Sequence, residues 1–236
     1  MLLKTNNASA LEPIRGHGWW LRRWAGDRIL AGITGRETDV ASLLQQSARP
    51  LTTVAAEQVH GASVAIVERA HAIVDVLPGC DALLTSLPGI ALLIRTADCL
   101  PVFFSDPSRN VVGLAHAGWR GLAAGLLPRV VAAFQHTYHI TADHLDIAIG
   151  PAIHACCYDV GPEFVARFGA YIEMREGHRT CNLIAAATDQ LQQAGVRSQK
   201  IMETGHCTAC EIDQWFSLRR EGPSTGRMTS LIAVKP

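Results

Sequence analysis

The stretch from Leu100 to Ala115 limits the possible folds of this chain more than any other. Two apolar arms, 101–105 and 111–115, flank Asp106-Pro107-Ser108-Arg109-Asn110, a run of residues that each favour a turn through backbone restriction or a short polar side chain. The segment reads as a β-hairpin. With its turn centred between Pro107 and Ser108, facing residue numbers sum to about 215, which sets Cys99 opposite His116, and a slip of one residue would turn the two to opposite faces. Directly opposed residues of an antiparallel pair have Cβ atoms roughly 5 Å apart, close enough to share one metal ion or to form a thiolate–imidazolium pair. His60 has to arrive from another strand end, where Gly61 gives the backbone room to turn.

Two imidazoles and one thiolate can hold a zinc ion and leave its fourth position for water, the layout of a catalytic site. The same groups could serve a cysteine nucleophile with a histidine base. Either arrangement makes the chain an enzyme. Beside Cys99 stands Asp98, which could orient a ligand, act as general base or cap the turn. After His116 the chain runs Gly118-Trp119-Arg120-Gly121 into a helix expected to begin near Leu122. Unpaired N–H groups at such a helix start, with Arg120 beside them, would make an anion site. Taken singly these residues carry little: a lone histidine at a strand end is commonly a satisfied surface or core group, and a lone cysteine is commonly a small buried hydrophobe.

Around the hairpin, apolar β-branched runs predict strands near 51–56, 63–68, 81–85, 90–95, 145–149 and 229–234. Leu122, Leu126, Val130 and Phe134 recur every fourth residue and predict a helix over 122–136. Pro128 within it requires a kink or a late start of the regular part. A second helix is predicted over 182–194, with Leu183, Ala186, Ala187 and Leu191 on one face and Gly195 as its stop. Strands crowd the first two thirds and long helices follow, an α/β or α+β layout. No repeat or linker divides the 236 residues, so one domain is expected over 1–236.

Lys plus Arg equals Asp plus Glu at 21 each, which argues against a general nucleic-acid or anionic-membrane surface while leaving room for a local basic pocket. No apolar run reaches the ~20 residues of a membrane span, and Met1 to Glu12 lacks the apolar stretch of a leader peptide. Seven cysteines in irregular spacing fit reduced thiols rather than a disulfide framework. The expectation is a cytoplasmic protein with no obligate protein partner. Cys207-Thr-Ala-Cys210 resembles half of a zinc ribbon, but no second CxxC accompanies it, and the adjacent Cys156 and Cys157 read as core thiols. His71, His136, His139, His144 and His178 are given no role.

Five ordered motifs place these residues in a wider pattern. They are Gln58-Val-His-Gly, Thr96-Ala-Asp-Cys-Leu-Pro-Val, His116-Ala-Gly-Trp-Arg-Gly, Ile149-Gly-Pro-Ala-Ile-His-Ala-Cys-Cys-Tyr-Asp-Val-Gly, and Trp215-Phe-Ser-Leu-Arg-Arg with Thr225-Gly-Arg. Together they resemble the multicopper polyphenol oxidoreductase family, also called the laccase-domain or purine nucleoside phosphorylase family. The resemblance implies a single-domain four-layer α/β/β/α sandwich related to toxins with a Cys–His site. It implies zinc held by His60, Cys99 and His116, and a cytoplasmic enzyme whose substrates are small molecules, a nucleoside and phosphate. The implied activities are phosphorolysis of adenosine, inosine, guanosine or methylthioadenosine, and hydrolytic deamination of adenosine. Gly32-Ile-Thr-Gly-Arg36 is similar to an early Gly-Phe-Ser-Thr-Arg segment of the family. The rest of the first 50 or so residues is divergent and shortened.

For phosphorolysis an anion clamp is needed, for which Arg36 and Arg120 are the first candidates, with Arg219, Arg220 and Arg227 behind them. For deamination Asp98 is the candidate proton shuttle. The alternatives are a Cys99 nucleophile with His116 as base in an amide hydrolase acting on peptidoglycan precursors, a copper-dependent polyphenol oxidase, and a binding protein with impaired catalysis. Copper is the less favoured metal, because one His₂Cys trio cannot supply the several coppers a laccase couples.

Overall fold

The computed structural model describes residues 11–14, 18–21, 24, 28–45, 47–69, 74–175 and 177–236; most of the Met1–Glu12 stretch and His71 lie outside them. The hairpin forms from Leu100–Asp106 and Val111–Ala117. Every residue of both arms is buried, because the strands are covered on two faces and therefore read as continuous apolar runs. Leu100, Val102 and Phe104 face one core, together with Val111, Ala115 and Ala117. Phe103, Val112 and Leu114 face another. Phe103 and Phe104, both 0% exposed, thus fill different cores from adjacent positions, as the two-residue period of a strand requires.

The register differs from the predicted one. His116 pairs with Pro101 and Val111 with Asp106, so facing numbers sum to 217, two more than expected. Asp106 is itself the last paired residue of its arm, and its carboxylate accepts from the backbone N–H groups of Ser108 (3.0 Å) and Arg109 (3.2 Å). That side-chain bonding moves the turn to 107–110, with Asn110 at φ 54°. A two-residue shift preserves the face, so Cys99 and His116 still point the same way.

The hairpin lies in a six-stranded sheet ordered Ile201–Glu203, Asp146–Ile149, Leu100–Asp106, Val111–Ala117, Ala82–Thr85, Val64–Ile66. Its outer face packs on the helices Leu126–Tyr138 and Leu183–Gln193 through Leu126, Val130, Phe134, Leu183 and Leu191. The second helix has the predicted limits, with the Asn182 side chain accepting from Ala185 N–H at the start and Gly195 at φ 97° beyond the end. The first is two pieces. Trp119–Ala123 ends at Gly125, φ 76°, and the regular helix starts at Leu126. Pro128 is then third in that helix, where its missing N–H would have had no partner.

The inner face of the six-stranded sheet packs on a seven-stranded sheet ordered Leu11–Ile14, Gly18–Leu21, Ile29–Ile33, Met228–Val234, Ile90–Thr96, Thr52–Ala56, Val74–Leu77. Ile33, Val54, Leu92, Trp215 and Ile232 meet Phe103 and Leu114 there. On the far side of the seven-stranded sheet the short helix Val40–Leu44 covers Leu30, Ala91, Leu231 and Ala233 with Leu43. The fold is mixed α/β with two large sheets and few helices. All eight predicted strands are present. The strands 11–14, 18–21, 29–33, 74–77, 172–175, 178–181 and 201–203 were not predicted, being three to five residues long with little alternation.

Candidate active site

Cys99 and His116 continue the inner face of the hairpin, so the site sits where the core between the two sheets opens to solvent. His60 follows the strand Thr52–Ala56 of the seven-stranded sheet, and Ala97 to Cys99 follow Ile90–Thr96. The sequence trio therefore meets at a seam between two sheets. The Cys99 thiol and one ring nitrogen each of His60 and His116 all lie within 4.8 Å of one another. The two imidazoles are edge to face, with ring centroids 4.8 Å apart. His116 is buried, Cys99 half-buried and His60 exposed, so the group has a closed back and an open front.

The back is closed by a residue that the sequence analysis did not single out. Asp81, 0% exposed, accepts from Nδ1–H of His116 at 2.9 Å and from the backbone N–H groups of His60 (2.9 Å) and Gly61 (2.7 Å). It thereby leaves Nε2 of His116 for the thiol or a metal and fixes the turn that presents His60. Burial pushes the Asp81 carboxyl upward, but these three bonds and the neighbouring His116 outweigh it and hold the group ionised, below its ordinary range. Burial likewise disfavours the Cys99 thiolate, yet hydrogen bonds to His116 and His60 lower its pKa to about 7. Burial disfavours a charged His116, yet Asp81 and Cys99 raise its pKa to about 9. In the absence of a metal, between about pH 7 and pH 9, this is a thiolate–imidazolium pair with a carboxylate behind it.

Backbone strain concentrates here. Gln58 (φ 66°), His60 (φ 60°) and Asp98 (φ 87°) have left-handed backbones, sparsely populated conformations for residues with side chains. Gln58 is held by a two-way bond with the Arg95 backbone, at 2.6 and 2.8 Å. Gly118 stands against the thiol: a Cβ there would lie 2.9 Å from the Cys99 sulfur.

In front of the trio is a cavity of about 470 Å³ lined by Glu57, Gln58, His60, Arg95, Thr96, Ala97, Cys99, His116, Leu218, Thr225 and Arg227. Of the arginines expected to clamp an anion, Arg227 lines it, with its guanidinium donating to the Thr225 and Gly226 carbonyls. Arg95, which no motif in the sequence marks, lines it as well. Arg36 instead fastens the C-terminal segment: it donates to the carbonyls of Ile212 and Trp215, pairs with Glu221 and lies 4.6 Å over the Phe216 ring. The Arg219 guanidinium donates to the Asp159 carbonyl at 2.7 Å and covers Tyr158. Arg220 lies on the helical turn Leu218–Glu221, and its backbone N–H donates to the Ser217 hydroxyl at 3.3 Å.

Arg120 is on a turn that starts at Trp119 rather than near Leu122. It stacks on Trp119 and lines a separate cleft with Glu163, Phe164 and Arg167. That five-residue helical turn has Gly118 before it and no side-chain cap. Asp98 is 8% exposed and accepts from the hydroxyls of Thr208 (2.7 Å) and Ser217 (2.8 Å) and from the Arg219 N–H (2.6 Å). Its bonding positions Cys99, and the carboxylate lining the cavity is Glu57.

The family described as multi-copper polyphenol oxidoreductase laccase matches residues 34–235. A purine nucleoside phosphorylase, YlmD, of Geobacillus stearothermophilus is 38% identical over 194 residues, 76% of this chain and 71% of the relative. Adenosine deaminase RL5, from an unknown prokaryotic organism, is 34% identical over 185 residues, 72% of this chain and 70% of the relative. The crystal structure of YlmD superimposes with a TM-score of 0.83 at 30% identity, covering 97% of this chain and 100% of that one. The chain belongs to the multi-copper polyphenol oxidoreductase laccase family, and is by that kinship an enzyme.

Proposed function

We propose that this member of the family is a zinc-dependent purine nucleoside enzyme, carrying out phosphorolysis, hydrolytic deamination, or both. The observation that carries the reading is the convergence of His60, Cys99 and His116 at the floor of a polar cavity, with His116 oriented by a buried carboxylate. Two imidazoles and a thiolate suit zinc, and the carboxylate–histidine pairing is the usual support of a zinc-ligating imidazole. A cysteine–histidine nucleophile pair would need neither the third donor nor its strained turn. A copper oxidase of the laccase kind would need several copper sites. Among the described residues the other grouping of potential ligands is four cysteines, which suits zinc or cuprous ions rather than dioxygen chemistry. When bound, zinc would lower the pKa of a water and so supply hydroxide at neutral pH, or would orient and neutralise a phosphate.

The chain's own residues supply the rest. In phosphorolysis a phosphate oxygen forms a bond to ribose C1′ as the bond to the purine nitrogen breaks. Arg95 and Arg227 at the cavity wall restrain the anion, and the departing base takes a proton. In deamination water adds at C6 of the purine and ammonia leaves. A proton must travel from the water to the leaving nitrogen, and Glu57 is the carboxylate placed at the wall to carry it. Leu218 offers an apolar surface to the base.

Two measurements test the reading together. Elemental analysis of wild-type and Cys99→Ser protein should show one zinc fewer per chain in the variant. Chromatography of adenosine digests should give adenine only when phosphate is present, inosine with or without it, and neither with the variant. Equal zinc content in the two proteins, with full activity in both, would sink it. The thiolate–imidazolium pair and Asp81 also satisfy the geometry of a cysteine amidase. Amide hydrolysis by metal-free protein, blocked by iodoacetamide, would establish that alternative.

A further inference from the structure

The molecule has a second cluster of metal-capable side chains, away from the cavity. Cys156 and Cys157 lie in a turn where the backbone N–H groups of Cys157 and Tyr158 both donate to the His154 carbonyl at 3.0 Å. Cys207 and Cys210 lie in another, closed by Cys210 N–H to the Cys207 carbonyl at 3.2 Å. In sequence the first pair reads as core thiols, but Cys156 and Cys210 are exposed and Cys157 is half-buried. All four sulfurs lie within 4.8 Å of one another. Three of the separations are 3.6, 3.6 and 3.4 Å. A zinc ion with bonds of about 2.3 Å to four tetrahedral thiolates places its sulfurs about 3.8 Å apart. A disulfide would bring one pair to ~2.05 Å, and a multi-iron cluster would spread the sulfurs well beyond the span seen here.

The surroundings suit thiolates. The His154 backbone N–H donates to the Cys207 sulfur at 3.5 Å. Crowding four sulfurs at van der Waals distance on a protein surface gains little unless a cation neutralises them.

We infer that Cys156, Cys157, Cys207 and Cys210 form a tetrathiolate site for one structural zinc ion, separate from the His60–Cys99–His116 group. The ion ties the loop after Gly150 to the loop after Gly205. Those loops also meet through Ala152 N–H to the His206 carbonyl at 3.2 Å, Thr208 N–H to the Ala152 carbonyl at 3.0 Å, the His154 N–H on the Cys207 sulfur and the packing of Ile153 on Ala209. Their junction carries Thr208, whose hydroxyl grips Asp98, and Ile153, whose N–H donates to the Asp98 carbonyl at 2.9 Å. The site therefore braces the residue that precedes Cys99 in the chain.

The test uses the full-length protein isolated with zinc in the growth medium and without a chelating tag. Cys99→Ser protein should retain one zinc per chain, held by the four cysteines alone. Loaded with cobalt in place of that zinc, it should show the intense sulfur-to-cobalt charge transfer and visible band of a tetrahedral tetrathiolate. A further Cys207→Ser, Cys210→Ser double substitution on that background should abolish both the ion and the spectrum. Should that variant fail to fold, the zinc count and cobalt spectrum of the Cys99→Ser protein decide by themselves. Cys99→Ser protein that carries no zinc, carries iron instead, or gives four fewer titratable thiols under non-reducing denaturation because two disulfides are present would each overturn the inference.

Discussion

The carboxylate of Asp81 offers the most direct way to break the candidate site without touching a ligand. In Asp81→Asn the volume is unchanged, but an acceptor for three N–H donors becomes one acceptor and one donor. With the amide oxygen in the Oδ1 position, the bonds from His60 N–H and His116 Nδ1–H survive in neutral form, while the new NH₂ faces the Gly61 N–H at the present 2.7 Å. The opposite orientation loses two bonds instead of one and is disfavoured. One lost bond that leaves buried donors unpaired costs ~1–3 kcal/mol, and two bonds that lose their charge each weaken by about 1 kcal/mol, for a total of about 3–5 kcal/mol. That is a large part of the ~5–15 kcal/mol by which domains are stable.

Zinc held with Cys99 should weaken as well, by about 10–100-fold, because the imidazole loses its orienting partner. Chelator competition would follow the zinc that Cys99→Ser also lacks, and urea unfolding would follow stability. A variant with wild-type zinc affinity and wild-type urea midpoint would refute the argument that Asp81 both orients His116 and holds the turn at His60.

Three further outcomes are expected. In metal-free protein the rate of Cys99 alkylation by iodoacetamide should rise through pH about 7, below the ~8.5 of an ordinary thiol, and His116→Ala should move that rise upward. The depressed Cys99 pKa contributes stability above the ordinary thiol range that is lost as pH falls through about 7, and the raised His116 pKa contributes stability below the ordinary imidazole range that is lost as pH rises through about 9. Between those values the gain of the first contribution offsets the loss of the second, so the metal-free urea midpoint should stay nearly level there, and a steep change across that window would contradict the pairing. Gly118→Ala puts a methyl 2.9 Å from the Cys99 sulfur. It should lower zinc affinity by at least on the order of tenfold, as disturbed ligand supports do, with unchanged affinity as the adverse result. Arg227→Ala should raise the KM for phosphate by roughly 10–100-fold, the equivalent of one charged hydrogen bond, while Arg120→Ala in its separate cleft should leave it within about twofold.

What the sequence revealed depended on how local the governing interactions are. The hairpin was legible because two apolar arms and a polar turn lie within the 15 residues 101–115, and both arms are buried on each face. Its register was off by two because Asp106, which reads as a turn residue, pairs with Val111 and caps the turn with its own carboxylate. Asp81 was invisible because it stands at the start of the apolar strand Ala82–Thr85, 35 residues from the imidazole it orients. Its only local signal is an acidic residue directly before a buried strand. The four-cysteine cluster escaped for a related reason: its halves are about fifty residues apart, and adjacent cysteines do not carry ligand spacing in isolation. The arginines misled because their charge says nothing about partners. Arg36 serves backbone carbonyls and a ring face of the C-terminal segment, and Arg219 reaches from that segment to the Asp159 carbonyl and the Tyr158 ring.

The strained turns connect these features. Left-handed backbone at a residue with a side chain costs on the order of 1–3 kcal/mol, and three such residues, Gln58, His60 and Asp98, flank the trio. Each is held by bonds that a relaxed turn would forfeit: Gln58 by the Arg95 backbone, His60 by Asp81, and Asp98 by Thr208, Ser217 and the Arg219 N–H. The holders come from the end of the neighbouring strand, the core between the sheets and the C-terminal segment. A conformation that none of the three loops would adopt alone is thus enforced by contacts distant in sequence. Asp81 takes part twice, since the carboxylate that bends the chain at His60 also fixes the tautomer of His116. The geometry of one donor and the protonation of another are therefore set by a single buried charge, so a change there should alter both together.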